Sequence, residues 1–313
     1  MRVRGGGLFE FKLLAFMLKN QKQIELKFLA PKLSTETLCL TEDVVGKDGK
    51  LNDASVPNPR GITIDAKGNL IICCEETKTL RKMDLKNEMV TTLNIPDLSG
   101  CFTSAISYTE NLYVVDKENA KIFRLGKDLK ATLIYACTDD RTKRKKKTEI
   151  YHPSAIVVDN EEIYLYLTDY LQSTIKRLEL SEPPKVELFC GYPNSSLPQD
   201  GIGENARFYF PLRLAKSKNC DYLFVTEARK SAVRFINVKS RMVKTIENLS
   251  VDNPTGIVVD RKSNLYVCDS TNQKIIKYSI NDGKETILCD KNQPLVEYGI
   301  LKKKKKILVS SFS

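Results

Sequence analysis

Apolar residues along this chain fall in short runs that are separated by turns rich in glycine, asparagine, aspartate and lysine. Residues 58–83 and 253–278 align without a gap, and each reads as a strand, a tight turn, a second strand, a polar turn and a third strand. Weaker copies of the same pattern begin at Ser104, Pro153 and Pro211, and a fourth apolar run follows every copy. Four short antiparallel strands per repeat are typical of a β-propeller blade.

The two ends of the chain predict how the ring of blades closes. The segment before the first full copy resembles the third and fourth strands of a blade, and the segment after Cys289 resembles the first two. We therefore predict an all-β fold, a six-bladed propeller of four-stranded antiparallel blades whose last blade is closed by N-terminal strands. The propeller is expected to span residues 21–313, with residues 1–20 as a separate segment that is disordered or helical.

The repeat resembles the NHL family, whose blades run as proline, x, glycine, a strand, N-L-Y-V-x-D and then N-x-x-I-x-K. The last complete copy matches this pattern at Pro254, Gly256, Asn264, Leu265, Tyr266, Val267, Asp269, Asn272, Ile275 and Lys277. The family's D-G-x-G-x-x-A-R-F loop is similar to residues 200–208, with a looser copy at 46–54. Departures include Cys74 at the acidic position of the first copy and Arg213 at a glycine position. The resemblance implies a binding platform, most often for another protein, on the face formed by second-to-third turns and inter-blade loops, called here the top face.

Two residues on this face are candidate partner contacts. Arg60 and Arg213 each fall near the start of a first strand, beside the central channel. Arginine is a common interface anchor, and the alternative for each is a structural salt bridge to a neighbouring loop.

The formal net charge of +11 comes from two short runs, and the rest of the chain has as many basic as acidic residues. The first run lies in a predicted top-face loop, whereas the second, Lys302 to Lys306, is expected in a turn on the opposite face. RNA binding is therefore the alternative function, and the solvated loop is the competing interpretation. The candidate nucleic-acid contacts are Arg141, Lys143, Arg144, Lys145, Lys146 and Lys147.

Enzymatic chemistry finds little support in the sequence. The recurring acids Asp116, Asp169, Glu227 and Asp269 are expected to accept backbone hydrogen bonds in their own turns. His152 is the single histidine, which disfavours both a zinc-dependent lyase and a hydrolase triad. We expect no catalytic residue, cofactor or metal, so a hydrolase or lyase propeller is the weakest alternative.

Nine cysteines lack any CxxC spacing, and Cys39, Cys190 and Cys289 recur on different blades. Free thiols indicate a reducing compartment, so a cytoplasmic monomer is expected, with the nucleus as an alternative. Arg2 and Arg4 precede an apolar stretch that Glu10 and Lys12 interrupt, which makes secretion the weaker alternative. No apolar run is long enough to predict a membrane helix or a membrane partner.

Overall fold

The computed structural model describes residues 13–17, 23–28, 34–40, 45–65, 67–106, 110–128, 130–139, 146–289 and 308–310. Within them the regular elements are β-strands, apart from single-turn 3-10 helices at Gly203–Asn205 and Ala228–Lys230. The strands form six antiparallel sheets, each corresponding to one repeat unit. The predicted fold class, an all-β propeller of four-stranded antiparallel blades, is confirmed.

The strands are numbered along the chain and grouped into blades. The chain begins with β1 (Leu13–Met17), β2 (Gln23–Phe28) and β3 (Ser34–Leu40). Blade 1 contains β4 (Gly49–Lys50), β5 (Pro59–Ile64), β6 (Leu70–Cys74), β7 (Thr79–Asp84) and β8 (Met89–Leu93). Blade 2 contains β9 (Cys101–Ile106), β10 (Leu112–Asp116), β11 (Lys121–Leu125) and β12 (Ala131–Ala136). Blade 3 contains β13 (Pro153–Val158), β14 (Tyr164–Asp169), β15 (Thr174–Glu179) and β16 (Lys185–Cys190).

The remaining blades complete the series. Blade 4 contains β17 (Gly201–Ile202), β18 (Pro211–Lys216), β19 (Tyr222–Glu227), β20 (Ala232–Asn237) and β21 (Met242–Thr245). Blade 5 contains β22 (Pro254–Val259), β23 (Asn264–Asp269), β24 (Lys274–Ser279) and β25 (Glu285–Cys289). The final strand, β26 (Leu308–Ser310), joins β1, β2 and β3 in blade 6.

The hydrophobic core consists of clusters between neighbouring blades. Between blades 3 and 4, for example, Tyr166 and Phe189 pack in one cluster with Leu214 and Val225. The second strands of blades 1 to 5 are buried along most of their length, and β10 is buried throughout, because a neighbouring blade covers each face of the sheet. This arrangement explains why second strands read as continuous apolar runs and why the repeat is readable from the sequence.

The innermost strands close into a ring. Strands β5, β9, β13, β18 and β22 contact one another in that order, and β26 contacts both β22 and β5. Blade 6 is thus built from both chain ends, so the ring leaves no first or last blade with an uncovered face.

Blade 6 differs in detail from the sequence prediction. Its strand order is β26, β1, β2, β3, so the N-terminal segment supplies three strands and the C-terminal segment one, instead of two each. Residues 1–20 are therefore not wholly separate from the propeller, because Leu13–Met17 pairs with both β2 and β26. This apolar segment fits the second-strand position but lacks the acidic residue that ends the second strands of blades 2 to 5. Lys302 to Lys306, which the sequence placed in a turn on the opposite face, lie outside the described residues.

Candidate functional site

The recurring acids fasten the turns of the top face. Asp116 accepts hydrogen bonds from the backbone N–H groups of Ser99 and Asn119, and Asp169 from those of Tyr151 and His152. These carboxylates are fully buried. Burial raises the pKa of Asp169 although three backbone N–H groups oppose the shift. The acids therefore form a structural frame, as the sequence indicated, and not an open ring of ligands.

Buried cations hold the inter-blade loops of the top face. Arg81 contacts Asp48 at 2.5 Å, and Arg234 contacts Asp200 at 2.7 Å. Each aspartate is followed by a glycine that begins a short strand, β4 after Asp48 and β17 after Asp200. The resemblance between the loops at residues 46–54 and 200–208 thus extends to their pairing and to their buried arginine.

In blade 3 a lysine occupies the corresponding third-strand position. The ammonium group of Lys176 donates to the carbonyl oxygen of Lys147 at 2.5 Å, which ties down the end of the basic loop. Burial lowers the pKa of Lys176 to about 8, and nearby Asp169 opposes the shift. The basic loop is therefore attached to the blade through a buried charged group.

Arg213 lies inside the ring and not on its surface. Its side chain donates to the carbonyl oxygen of Ser154 at 2.9 Å and to that of Arg60 at 3.3 Å. Blades 4 and 1 are three positions apart in either direction around the ring, so Arg213 reaches across the channel. With only 6% of its surface exposed, it is not the open anchor that the sequence suggested.

Small residues make this crossing sterically feasible. The positions equivalent to Arg213 in the other first strands carry Gly61, Thr103, Ala155 and Gly256. None of these four residues has a long side chain that would compete with Arg213 for the space beside the channel. Burial and the neighbouring Arg60 lower the pKa of the Arg213 guanidinium to about 10, so the group remains charged at neutral pH.

Arg60 lies at the top mouth of the channel. Its guanidinium forms a salt bridge with Glu75, and the two side chains are each 33% exposed. The structural salt bridge considered for this residue is therefore present, and the arginine remains accessible from the top face. Lys117 belongs to the same group of charges, since both Arg60 and Arg213 act on its ammonium.

An aromatic and cationic patch, which the sequence analysis did not identify, covers the top of blades 3 and 4. The Phe210 ring lies 4.9 Å from that of Tyr170 and 4.7 Å from that of Tyr209. The guanidinium of Arg229 lies 4.3 Å from the Phe210 ring centre, and the ammonium of Lys230 lies 5.3 Å from that of Tyr209. The three rings are partly exposed and both cations are exposed, so the patch faces solvent.

Phe210 occupies a strained backbone position. Its φ of 52° is in the left-handed region, and it directly precedes the first proline of its blade. The equivalent residues of blades 1 and 5 are Asn58 and Asn253, which have φ values of 38° and 52°. Asparagine tolerates this conformation, whereas for a bulky aromatic residue it is an outlier. The chain therefore retains a phenylalanine at a position where its own repeat favours asparagine.

The basic run is only partly described. Arg141, Lys143, Arg144 and Lys145 lie outside the described residues, as do Lys302 to Lys306. Lys146 is 3.8 Å from Asp139, and Lys147 forms a salt bridge with Glu204.

An aromatic residue from another loop stands beside this run. The Tyr192 ring, on a side chain that is 51% exposed, lies 5.9 Å from the Lys147 ammonium and 5.4 Å from the Arg207 guanidinium. The basic run has no aromatic residues interleaved in its sequence. The fold nevertheless places Tyr192, from the loop that connects blade 3 to blade 4, beside the run.

Across the described residues, no group of three or more histidine, cysteine, aspartate or glutamate side chains is arranged to hold a metal ion. His152 donates its backbone N–H to Asp169, as expected of a residue in a top-face loop. In the same part of the chain, no helix is long and apolar enough to cross a membrane. The free thiols among the described side chains are those of Cys73, Cys74, Cys137, Cys190, Cys220 and Cys268.

Comparison with curated proteins returns relatives whose similarity runs through most of the chain. NHL repeat-containing protein 2 of Gallus gallus is 22% identical and covers 73% of this chain. The blade pattern, its closed ring of four-stranded sheets and this relative agree with the NHL resemblance of the repeats. The chain is a β-propeller whose repeats are similar to NHL repeats.

No family model matches this chain. A second relative, the Arabidopsis thaliana protein SUPPRESSOR OF QUENCHING 1, chloroplastic, is 21% identical and covers 77% of the chain. The chain spans 40% of the length of the Gallus gallus relative and 26% of the Arabidopsis thaliana one.

Solved structures share the propeller fold of this chain at low identity. A chain in a nidogen/laminin complex superposes with a TM-score of 0.64 at 16% identity, covering 87% of this chain and 90% of that one. Virginiamycin B lyase from Staphylococcus aureus superposes with a TM-score of 0.55 at 16% identity, covering 89% and 74%. A protein complex and a lyase are thus both represented among propellers of this shape, so the fold alone does not select a function.

Proposed function

We propose that this protein is a non-catalytic platform that binds another protein through the top face of its propeller. The observation that carries the proposal is the strained Phe210 within the patch formed by Tyr170, Tyr209, Arg229 and Lys230. Strained residues that are kept at a surface concentrate at functional sites. Tyrosine, phenylalanine and arginine are also the residues that are enriched in protein interfaces.

The comparisons support the same class of function without identifying a partner. One solved relative of similar shape is part of a nidogen/laminin complex. A lyase of similar shape also exists, but the single histidine of this chain disfavours a catalytic centre of the kind that uses several. We therefore place the protein among the binding propellers, as a monomer in a reducing compartment such as the cytoplasm.

Affinity capture with matched charge variants tests the proposal. Arg229 and Lys230 lie in the turn between β19 and β20, whereas Lys218 and Lys239 lie in turns at the opposite end of the same blade. All four are exposed, so alanine substitution should leave folding intact. The Arg229→Ala/Lys230→Ala variant should bind its protein partner about tenfold or more weakly than the wild type. The Lys218→Ala/Lys239→Ala variant should bind it as the wild type does. Equal retention by both variants would move the binding surface away from this patch.

RNA binding remains the second candidate, because the fold brings Tyr192 together with Lys147 and Arg207. Aromatic stacking beside cations is the chemistry that single-stranded nucleic acids use. The salt bridge between Lys147 and Glu204 makes this site the weaker of the two. Nuclease treatment during capture separates them: an RNA-mediated interaction is lost with nuclease and falls steeply with salt, whereas a direct protein interaction survives.

A further inference from the structure

Three positive charges lie together at the mouth of the channel. Arg60 and Arg213 both act on the ammonium of Lys117, and Glu75 and Glu118 are acids that act on the same ammonium. Glu118 is more than half exposed and is also 3.5 Å from Lys78, so it contributes less inside the mouth. Glu75 is thus the main acid that faces the three cations.

Each of these groups has a defined place on the top face. Arg60 is the second residue of β5, Glu75 follows β6, and Lys117 follows β10, so all three lie at the top ends of their strands. Arg213 lies beneath them, with its guanidinium anchored on the carbonyl oxygens of Ser154 and Arg60. The partly exposed arginine and the half-buried lysine are therefore set over a buried positive charge.

Electrostatics makes this mouth favourable for an anion. The buried guanidinium of Arg213 donates to the carbonyl oxygen of Arg60, so two positively charged residues are in contact, and burial and these two arginines lower the pKa of the neighbouring Lys117. A carboxylate entering the mouth would relieve that repulsion and could form charge-assisted hydrogen bonds with Arg60, the geometry that guanidinium groups favour. Glu75 already contacts the Arg60 guanidinium in this way.

We propose that the channel mouth is a docking point for an acidic side chain, aspartate or glutamate, of the partner protein. This assignment rests on the proposed function, since it names the chemistry of the partner that the top face binds. The partner's carboxylate contacts Arg60 and Lys117, and Arg213 contributes its charge from below. Glu75 competes with the incoming carboxylate for Arg60.

Because Glu75 competes for Arg60, substitutions at the two residues should change the affinity for a carboxylate in opposite directions. Glu75→Gln removes the internal competitor and should tighten binding of an external carboxylate several-fold. Arg60→Gln removes the direct contact and should weaken binding about tenfold, the loss expected for one charged hydrogen bond. A purely structural ion pair would respond in the same direction to both changes. Lys127→Gln, an exposed lysine at the end of blade 2 distant from the mouth, is the matched control.

The experiment needs no identified partner. The probe is N-acetyl-aspartate amide, whose only carboxylate is its side chain, titrated into purified protein carrying ¹⁵N-labelled arginine. The Nε–H signals of Arg60 and Arg213 should shift saturably as the probe is added. The affinity derived from the shift should rise in Glu75→Gln, fall in Arg60→Gln and stay unchanged in Lys127→Gln. N-acetyl-asparagine amide, the neutral isostere, should give no saturable shift.

Several outcomes would overturn the assignment. They are the absence of a saturable shift, an equal shift with the asparagine probe, or weaker binding by Glu75→Gln. Saturation by inorganic phosphate without saturation by the aspartate probe would also overturn it in favour of a phosphate-bearing ligand. The titration and the capture experiment fail independently, because a negative titration leaves partner capture by the Tyr209 and Phe210 patch untouched.

Discussion

Removal of the Arg234 guanidinium should destabilise blade 4 strongly. This side chain is fully buried and donates to the carboxylate of Glu227 at 3.2 Å, to Asp200 at 2.7 Å and to the carbonyl oxygen of Arg207 at 3.1 Å. Glu227 is fully buried as well, whereas Asp200 is 46% exposed and can be hydrated. The substitution Arg234→Met keeps most of the side-chain volume but leaves the charged Glu227 carboxylate without its cation.

The magnitude follows from that uncompensated charge. Breaking a buried ion pair by removing one partner costs about 3–5 kcal/mol, whereas loss of an exposed pair costs about 0–1 kcal/mol. We therefore expect Arg234→Met to lower the thermal midpoint by about 5–8 °C. The matched control is Arg241→Met, whose partner Glu187 is 3.3 Å away and whose side chain is 38% exposed. That variant should shift the midpoint by no more than a few degrees, about 2 °C.

The stability lost in Arg234→Met should depend on pH in a defined direction. Burial raises the pKa of Glu227 above its ordinary 4.5, although Arg234 opposes the shift. A carboxyl whose folded-state pKa is raised gains stability as the pH falls through that pKa, because the folded state then binds the proton more tightly than the unfolded state. Without Arg234 the rise is larger, so the deficit of Arg234→Met should shrink as the pH falls from 7 towards about 5.

Thermal unfolding of the wild type, Arg234→Met, Arg241→Met and the double variant Arg234→Met/Glu227→Gln measures these effects. The double variant should recover most of the loss, since it removes the buried charge with its partner. If Arg234→Met unfolds at the wild-type midpoint, or if the double variant is worse than the single one, the buried pair does not stabilise blade 4 as argued.

Three further expectations concern other parts of the ring. Phe210→Asn should change the free energy of unfolding by less than about 1 kcal/mol, because relief of strain offsets lost ring contacts, while partner capture falls; a fully active variant would disconnect the strain from binding. Lys176→Met should abolish the stability that the wild type gains as the pH rises from about 8, where buried Lys176 loses its proton, towards 10, and identical pH profiles would contradict the buried-lysine contact. Deletion of residues 1–20 removes β1 and should abolish cooperative unfolding measured by circular dichroism, whereas an unchanged transition would show that blade 6 closes without it.

The repeat made most of the fold predictable from the sequence. Residues 58–83 and 253–278 carry the turn residues and the apolar spacing of a blade, and each blade packs against its neighbours by the same contacts. Strand β1 could not be assigned in this way. It lacks the acidic residue that ends the second strands of blades 2 to 5, and its partner β26 is distant in sequence.

The candidate site was less accessible to sequence reasoning. The position of Arg213 in a glycine slot marked it as unusual, but its direction across the channel depends on the small residues of blades that follow and precede it. The aromatic patch joins Tyr170 of blade 3 to Phe210 before blade 4, and no sequence window contains both with Arg229. A signal was nevertheless present, because Phe210 stands where two other blades have asparagine before proline.

Hydrogen–deuterium exchange of the partner-bound protein tests the central claim most directly. Bound and free protein would be compared at the top-face turns, residues 170–173, 209–210 and 228–231, and at the opposite turns, residues 160–163 and 217–221. A protein platform of the proposed kind predicts slower exchange in the first set, retained after nuclease treatment, and no change in the second. Protection confined to the opposite turns, or protection that nuclease abolishes, would contradict it.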